Sequence, residues 1–175
     1  MDSKRLFLAL WPDDRQRNIL RDALRPLLTS IEGKMVDRRN WHVTLNFIGE
    51  FPAARIDGLL TELEQVEVRR IRLRFDRLSF YPRPRIACLE ALTVPDELKQ
   101  LKQDLESMLL PYGVQPENLE YRPHITAVRS ARPFPTIREA RALELQWSGF
   151  ELIESVSMPG GVQYRPLKQQ VRRDS

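Results

Sequence analysis

At 175 residues, 42% hydrophobic and 30% charged, the chain has the size and balance of a globular protein with one large core or two small lobes. No run approaches the roughly 20 apolar residues of a membrane-spanning helix, and a single cysteine, Cys88, excludes an internal disulfide and the usual cysteine metal sites. The net charge of +4, with arginine as the main basic residue, suits an ordinary solvated surface or a phosphate-rich partner such as RNA.

The start, Met1-Asp2-Ser3-Lys4-Arg5, lacks the long apolar region of a signal peptide, so a cytoplasmic location is the expectation. Residues 4–11 read as a strand that is apolar on both faces and therefore covered on both. Pro12-Asp13-Asp14 then opens a helix, with Ile19, Leu20, Ala23, Leu24, Leu27 and Leu28 at helical spacing and Pro26 set to kink or shorten it. Residues 35–49 read as strand-turn-strand, and Glu50-Phe51-Pro52 as a break. A second helix follows, with Ile56, Leu59, Leu60, Leu63 and Val66 on one side.

Residues 68–81 alternate, with arginines between Ile71, Leu73 and Phe75, as in a half-buried strand with a bend. After a turn at residues 81–85, residues 86–92 form another strand, and Pro95 starts a helix carrying Leu98, Leu101, Leu105, Met108 and Leu109. The loop at Pro116-Glu117-Asn118 leads to a strand over residues 121–129, and residues 136–143 read as a short helix. A closing hairpin spans residues 150–157 and 162–167 around Pro159-Gly160-Gly161, and the tail, residues 172–175, is expected to fray.

The chain holds only two histidines, and each opens the pattern His, β-branched aliphatic, Thr: His42-Val43-Thr44 and His124-Ile125-Thr126. Residues two apart on a strand share a face. His42 therefore projects with Thr44, and Val43, Leu45 and Phe47 project to the other side; His124 projects with Thr126, opposite Ile125. Each motif follows a strand-helix pair, as a duplicated α+β unit with approximate twofold symmetry would give.

An imidazole titrates near neutrality. Two of them flanking one phosphorus can divide the work, one taking a proton from an attacking water and one giving a proton to the departing oxygen, each role contributing about 10²–10⁴ in rate. The threonine hydroxyls suit the non-bridging phosphate oxygens, and Arg129 is the nearby positive charge. Five positions after His124, regular alternation aims Arg129 away from that histidine, so a strand end or bulge must re-aim it. Neither histidine has the second histidine or carboxylate cluster of a metal site, and no nucleophile elbow, Walker or Rossmann pattern is present.

With Phe47-Ile48-Gly49-Glu50 after the first motif and Arg129 after the second, the chain resembles the 2H phosphoesterases, and within them the RNA 2′,3′-cyclic phosphodiesterases, also called 2′–5′ RNA ligases. Arg5-Leu6-Phe7-Leu8-Ala9-Leu10, Pro123 before His124, and Tyr164-Arg165-Pro166-Leu167-Lys168 also fit that family; Ala127 departs from it, where a bulkier aliphatic residue is usual. The resemblance covers nearly the whole chain. It implies one bilobal domain over residues 1–175, α+β in class, with two mainly antiparallel sheets, helices outside and a central cleft. It implies hydrolysis of an RNA terminal 2′,3′-cyclic phosphate to a 2′-phosphate, with His42 as general acid, His124 as general base, and Thr44, Thr126 and Arg129 on the phosphate. No cofactor or metal is implied, and 2′–5′ ligation is the reverse reaction.

The expected partners are RNA ends or small cyclic-phosphate nucleotides, with no membrane, for a monomer. A 2H enzyme acting on a small cyclic nucleotide or an ADP-ribose cyclic phosphate, and a non-catalytic module that binds RNA ends, are the alternatives. Phe7 is a candidate stacking platform for the terminal base, with a place in the core as its competing role.

Overall fold

A computed structural model describes the backbone of residues 2–117 and 119–167, and the side chains of all of these except 139–141. Asn118, Lys168 and the tail lie outside the described residues. The elements alternate strand and helix through the first two thirds of the chain: β1 (Ser3–Leu10), α1 (Asp14–Leu28), β2 (Lys34–Met35), β3 (Val43–Pro52), α2 (Ile56–Leu63), β4 (Ile71–Tyr81), β5 (Ile86–Glu90), α3 (Asp96–Leu109) and β6 (His124–Arg129). Three strands close the described chain, β7 (Ile137–Trp147), β8 (Glu151–Met158) and β9 (Gly161–Leu167).

The strands form an antiparallel array in the order β7-β4-β5-β6-β3-β1-β8-β9, with β2 added on β6. The two four-strand groups meet at one bridge, Val43 opposite Ile125, so the two expected sheets are joined through the middle residues of the two motifs. On either side of this bridge the topology repeats: β1-α1-β3 in one group, β5-α3-β6 in the other, each outer strand paired with its motif strand. This is the α+β duplicated unit expected from the sequence.

One face of the array carries the core. Leu6, Leu8 and Leu10 of β1, Ile71, Leu73, Phe75 and Leu78 of β4, and Ile125 and Ala127 of β6 are buried there against Leu20 and Leu24 of α1, Leu59 of α2, and Leu98, Leu101 and Leu105 of α3. Each fully buried leucine, isoleucine or phenylalanine contributes about 1.5–3 kcal/mol from removal of apolar surface from water. Asp13 caps α1: its carboxylate accepts from the Gln16 amide at 2.7 Å while the Gln16 side chain accepts from the Asp13 amide at 2.9 Å. Pro26 sits in the last turn, and the helix ends two residues later. The opposite face is open and carries a small separate cluster of Phe7, Ala9 and Ile153, with Trp11 and Tyr164 packed on it.

Three sequence expectations change. Residues 136–143 are not helical; from Ile137 onward they lie in β7, which pairs with β4 between Ile71 and Leu78. Glu, Ala and Arg favour helix locally, but Leu143, Leu145 and Trp147 alternate and complete the edge of the sheet, so tertiary pairing overrides propensity. β3 does not break at Glu50; it runs to Pro52 because β1 pairs with it as far as Ser3 opposite Pro52, at the strand's last residue, where proline is tolerated.

The third change concerns Phe47. β3 carries two bulges against β1, which skip Leu45 and Ile48 in the register. Beyond the first bulge the alternation is inverted. Val43 and Leu45 are buried as expected, but Phe47 pairs with Phe7 on the open face and is 62% exposed. Side chains from the other half of the chain meet carbonyls around this bulge: Lys102 donates to Leu45 and Tyr121 donates to Thr44.

Candidate active site

Because Val43 and Ile125 face each other, the antiparallel register sets His42 beside Thr126 and His124 beside Thr44. The two histidines are then diagonal neighbours on the open face, a relation of roughly 7–8 Å in a regular ladder. That gap suits a phosphate touched from both sides.

Each imidazole is anchored in the same way. His42 Nδ1 lies 2.7 Å from the carbonyl of Asn40, and His124 Nδ1 lies 2.7 Å from the carbonyl of Arg122. A carbonyl only accepts, so Nδ1 carries the hydrogen in both rings and Nε2 carries the lone pair when the ring is neutral. In His42, Nε2 lies 2.8 Å from Thr44 Oγ1, so the hydroxyl donates to the neutral ring and accepts from the protonated one. Thr126 lies on the same face as His124, and its hydroxyl has Cys88 Sγ at 3.9 Å.

His42 is packed among rings. Phe7 lies at 4.8 Å, Tyr164 meets it edge-on at 5.2 Å, and Trp11 stacks at 6.1 Å with 25° between planes. Behind Trp11 the buried Arg17 guanidinium sits 4.7 Å over the indole. Burial, with His124, Arg129 and Arg17 nearby, lowers the His42 pKa to about 4, so the free protein holds this ring neutral at neutral pH. His124 has a tyrosine too: Tyr81 packs against it at 5.3 Å, and the Tyr81 hydroxyl donates to the buried Glu90, the cross-strand neighbour of His124. Burial and the Glu90 bond push the Tyr81 pKa up, so its hydroxyl keeps its proton.

Arg129 is re-aimed by a bulge. The β5–β6 register passes from Cys88 opposite Thr126 to Ala87 opposite Val128, which leaves Ala127 as the extra residue. Ala127 and Val128 are both buried, and Arg129 returns to the face of His124 and Thr126. Gly33 makes room beneath: at φ +153, a Cβ there would lie 2.6 Å from Val128 Cγ1. Arg129 Nη2 then donates to the Tyr164 hydroxyl at 3.3 Å. Tyr164 is itself held by Asn40, whose side chain accepts from the Tyr164 amide at 3.1 Å and donates to the Val162 carbonyl at 2.9 Å.

All five sequence-predicted site residues therefore lie on one face around the β3–β6 bridge. Phe7 is 5% exposed and belongs to the floor under His42, not to a surface that a base can reach. Among the described residues, no group of three His, Cys, Asp or Glu side chains is placed to hold a metal ion, and no helix is long and apolar enough to cross a membrane.

Residues 10–88 match the model of the family described as LigT like Phosphoesterase. An RNA 2′,3′-cyclic phosphodiesterase of Escherichia coli K12 is 30% identical over 141 residues, 78% of each chain. The chain belongs to the LigT-like phosphoesterase family. Another relative, an RNA 2′,3′-cyclic phosphodiesterase of Aeropyrum pernix, is 29% identical over 160 residues, covering 85% of this chain and 90% of its own. The crystal structure of E. coli LigT complexed with 3′-AMP superposes with a TM-score of 0.83 at 27% identity, over 95% of this chain and 97% of that one.

Within this LigT-like fold, sequence reasoning missed Asn40, Tyr81, Trp11 and Tyr164. The two tyrosines lie on β4 and β9, and Trp11 follows β1, all distant in sequence from the ring they touch, so no local spacing marks them. Asn40 had a visible signal, since it lies two positions before His42, but the signal has meaning only once a carbonyl partner for Nδ1 is sought.

Proposed function

We propose that this protein opens the 2′,3′-cyclic phosphate at an RNA 3′ end and leaves a 2′-phosphate, without a metal. His124 Nε2 takes a proton from water as the water oxygen bonds to phosphorus. The bond from phosphorus to the 3′-oxygen breaks, and His42 Nε2 gives that oxygen a proton. Thr44, Thr126 and Arg129 hold the non-bridging oxygens. The carrying observation is the matched anchoring of the two histidines, which leaves two Nε2 atoms on one face of adjacent strands.

The low pKa of His42 leaves this ring neutral in the free protein, so the acid role depends on the charge of the bound substrate. A cyclic phosphodiester carries one negative charge, and a negative charge beside an imidazole favours its protonated form. Bound substrate therefore favours uptake of a proton from solvent by His42, and that proton passes to the departing oxygen. With a 5′-hydroxyl in place of water, the same geometry forms a 2′–5′ linkage. The exposed Phe47, beside Phe7 on the open face, is the stacking surface for the terminal base; one such stack contributes about 1–3 kcal/mol. The complex of E. coli LigT with 3′-AMP supports a site that grips a single terminal nucleotide.

The test is incubation of an oligonucleotide ending in a 2′,3′-cyclic phosphate, with chelator present, followed by mapping of the product end. A 2′-phosphate is expected. A 3′-phosphate, or no turnover, rejects the reading.

A further inference from the structure

The open face of β4 carries charge that the cleft chemistry does not use. Arg77 lies opposite Glu90, and Glu90 lies opposite His124, so Arg77 is two strands, or about 10 Å, from the catalytic histidine on the same face. A bulge at Asp76 then shifts the β4–β7 register. Beyond it Ile71, Leu73 and Phe75 face the core while Arg70, Arg72 and Arg74 alternate with them, all exposed. Successive arginines of that row are about 6.6 Å apart.

Asp76 is 2.9 Å from Arg77, whose hydrogen bond, with the charges of Arg138 and Arg74 nearby, holds the Asp76 carboxyl pKa low, so Asp76 also offsets part of the Arg74 charge. Among the described residues no carboxylate lies within ion-pair distance of Arg70, Arg72 or Arg74. Glu144, the exposed cross-strand neighbour of Arg74, offsets part of one charge, and the neighbour of Arg72 is the neutral Gln146. Across the bulge Arg138 faces Arg77. Like charges directly opposite weaken a sheet, so fold stability does not account for the Arg77–Arg138 pairing.

We infer that the open face of β4 is a track for the backbone of single-stranded RNA, entered from the His124 side of the cleft. Arginine forks suit phosphate oxygens, and a row of them tracks a strand without reading its bases. β4 runs parallel to β6, since both pair antiparallel with β5. The row therefore runs from the level of His124 toward the loop before β6, where Arg122 is exposed. This inference rests on the proposed RNA-end activity for the identity of the strand.

The test compares a mononucleoside 2′,3′-cyclic phosphate with two-, four- and eight-nucleotide RNAs bearing the same end, for the parent, the Arg72→Ala/Arg74→Ala pair and Glu144→Gln. In the parent, KM should fall with length. The arginine pair should lose most of that gain, several-fold at eight nucleotides, and leave mononucleotide turnover unchanged. Its log–log salt dependence of binding should be shallower by about 1.4, for two lost single-strand phosphate contacts. Glu144→Gln should tighten the long RNA. An unchanged length gain in the arginine pair overturns the track, as does a parent with no length gain. Anisotropy with an eight-nucleotide RNA ending in a 3′-hydroxyl reads the track without catalysis. If the parent fails on every cyclic phosphate yet binds this RNA through Arg72 and Arg74, the proposed reaction falls and the track stands.

Discussion

Val43 and Ile125, the middle residues of the two His-x-Thr motifs, are bridged to each other at the junction of the two strand groups. Both are fully buried on the core face, which turns their flanking residues outward. One apolar pair thus fixes where four polar side chains stand. His42→Ala and His124→Ala should each lower kcat by about 10²–10⁴, the worth of one acid or base role. Melting and circular dichroism should show the fold retained, because neither ring belongs to the core between the sheet and the helices. A folded variant at parental turnover would remove that residue from the chemistry.

The threonines should matter less, and unequally. Thr44→Val deletes the hydroxyl on His42 Nε2, a loss of about 0.5–1.5 kcal/mol, or roughly 2- to 12-fold in kcat/KM. Among the described residues, the Thr126 hydroxyl has only a long contact to Cys88, so Thr126→Val should act mainly on phosphate binding. Arg129→Ala removes a charged donor, at about 1.5–3 kcal/mol, and should cost more than either. Steady-state kinetics on a cyclic mononucleotide measures all three; Arg129→Ala at parental kcat/KM would take Arg129 off the phosphate.

Asn40 ties the first motif to β9. Asn40→Ala leaves the Tyr164 amide and the Val162 carbonyl without their partner, at about 1–3 kcal/mol for each group that stays buried. The expected result is a lower melting temperature and, because Tyr164 positions both His42 and Arg129, a lower kcat in the folded fraction. Unchanged melting would show that β9 is held by the β8 ladder alone.

The depressed His42 pKa makes a stability prediction with a definite sign. The folded value is about 4 and the unfolded reference about 6.5, so the unfolded chain binds more protons between these limits. This contribution to stability is present above about pH 6.5 and is lost as pH falls toward 4. His42→Asn should flatten that part of the stability–pH curve. An identical acid profile in parent and variant would mean that His42 titrates normally in the folded state.

Acid and base roles need a test other than a pH–rate profile. A bell-shaped curve reports the pair, and its limbs are the same whichever ring carries the proton. A substrate whose 3′-bridging oxygen is replaced by sulfur has a leaving group that needs no proton. It should restore turnover to His42→Ala and not to His124→Ala. The reverse pattern would exchange the two roles.

The motifs, their shared faces and most strands were legible because alternation and burial agree from Ile71 to Phe75 in β4 and from His124 to Thr126 in β6, and because the apolar run of β1 is buried on both faces. Part of what was hidden has one physical cause. A bulge adds one residue and inverts the side chains that follow, up to any further bulge, and alternation carries no mark of it. The bulge at Leu45 brought Phe47 to the open face, and the bulge at Ala127 brought Arg129 to the face of His124. The need for the second was readable, since Arg129 had no use on the core face; its position was not. β7 was hidden for another reason, since its local composition favours helix and only its partner β4 decides the matter. Tyr81 and Tyr164 reach the histidines through sheet order, which no spacing in the chain encodes.

The central claim is that His42 and His124 act together on one phosphate. It is tested most directly by single-turnover hydrolysis of an RNA 2′,3′-cyclic phosphate by the parent, His42→Ala, His124→Ala and the double variant. Groups that act as a unit give non-additive losses, so the double variant should be scarcely slower than the worse single one. A double variant slowed by the full product of the two single losses would mean that the histidines act independently, and would contradict the account.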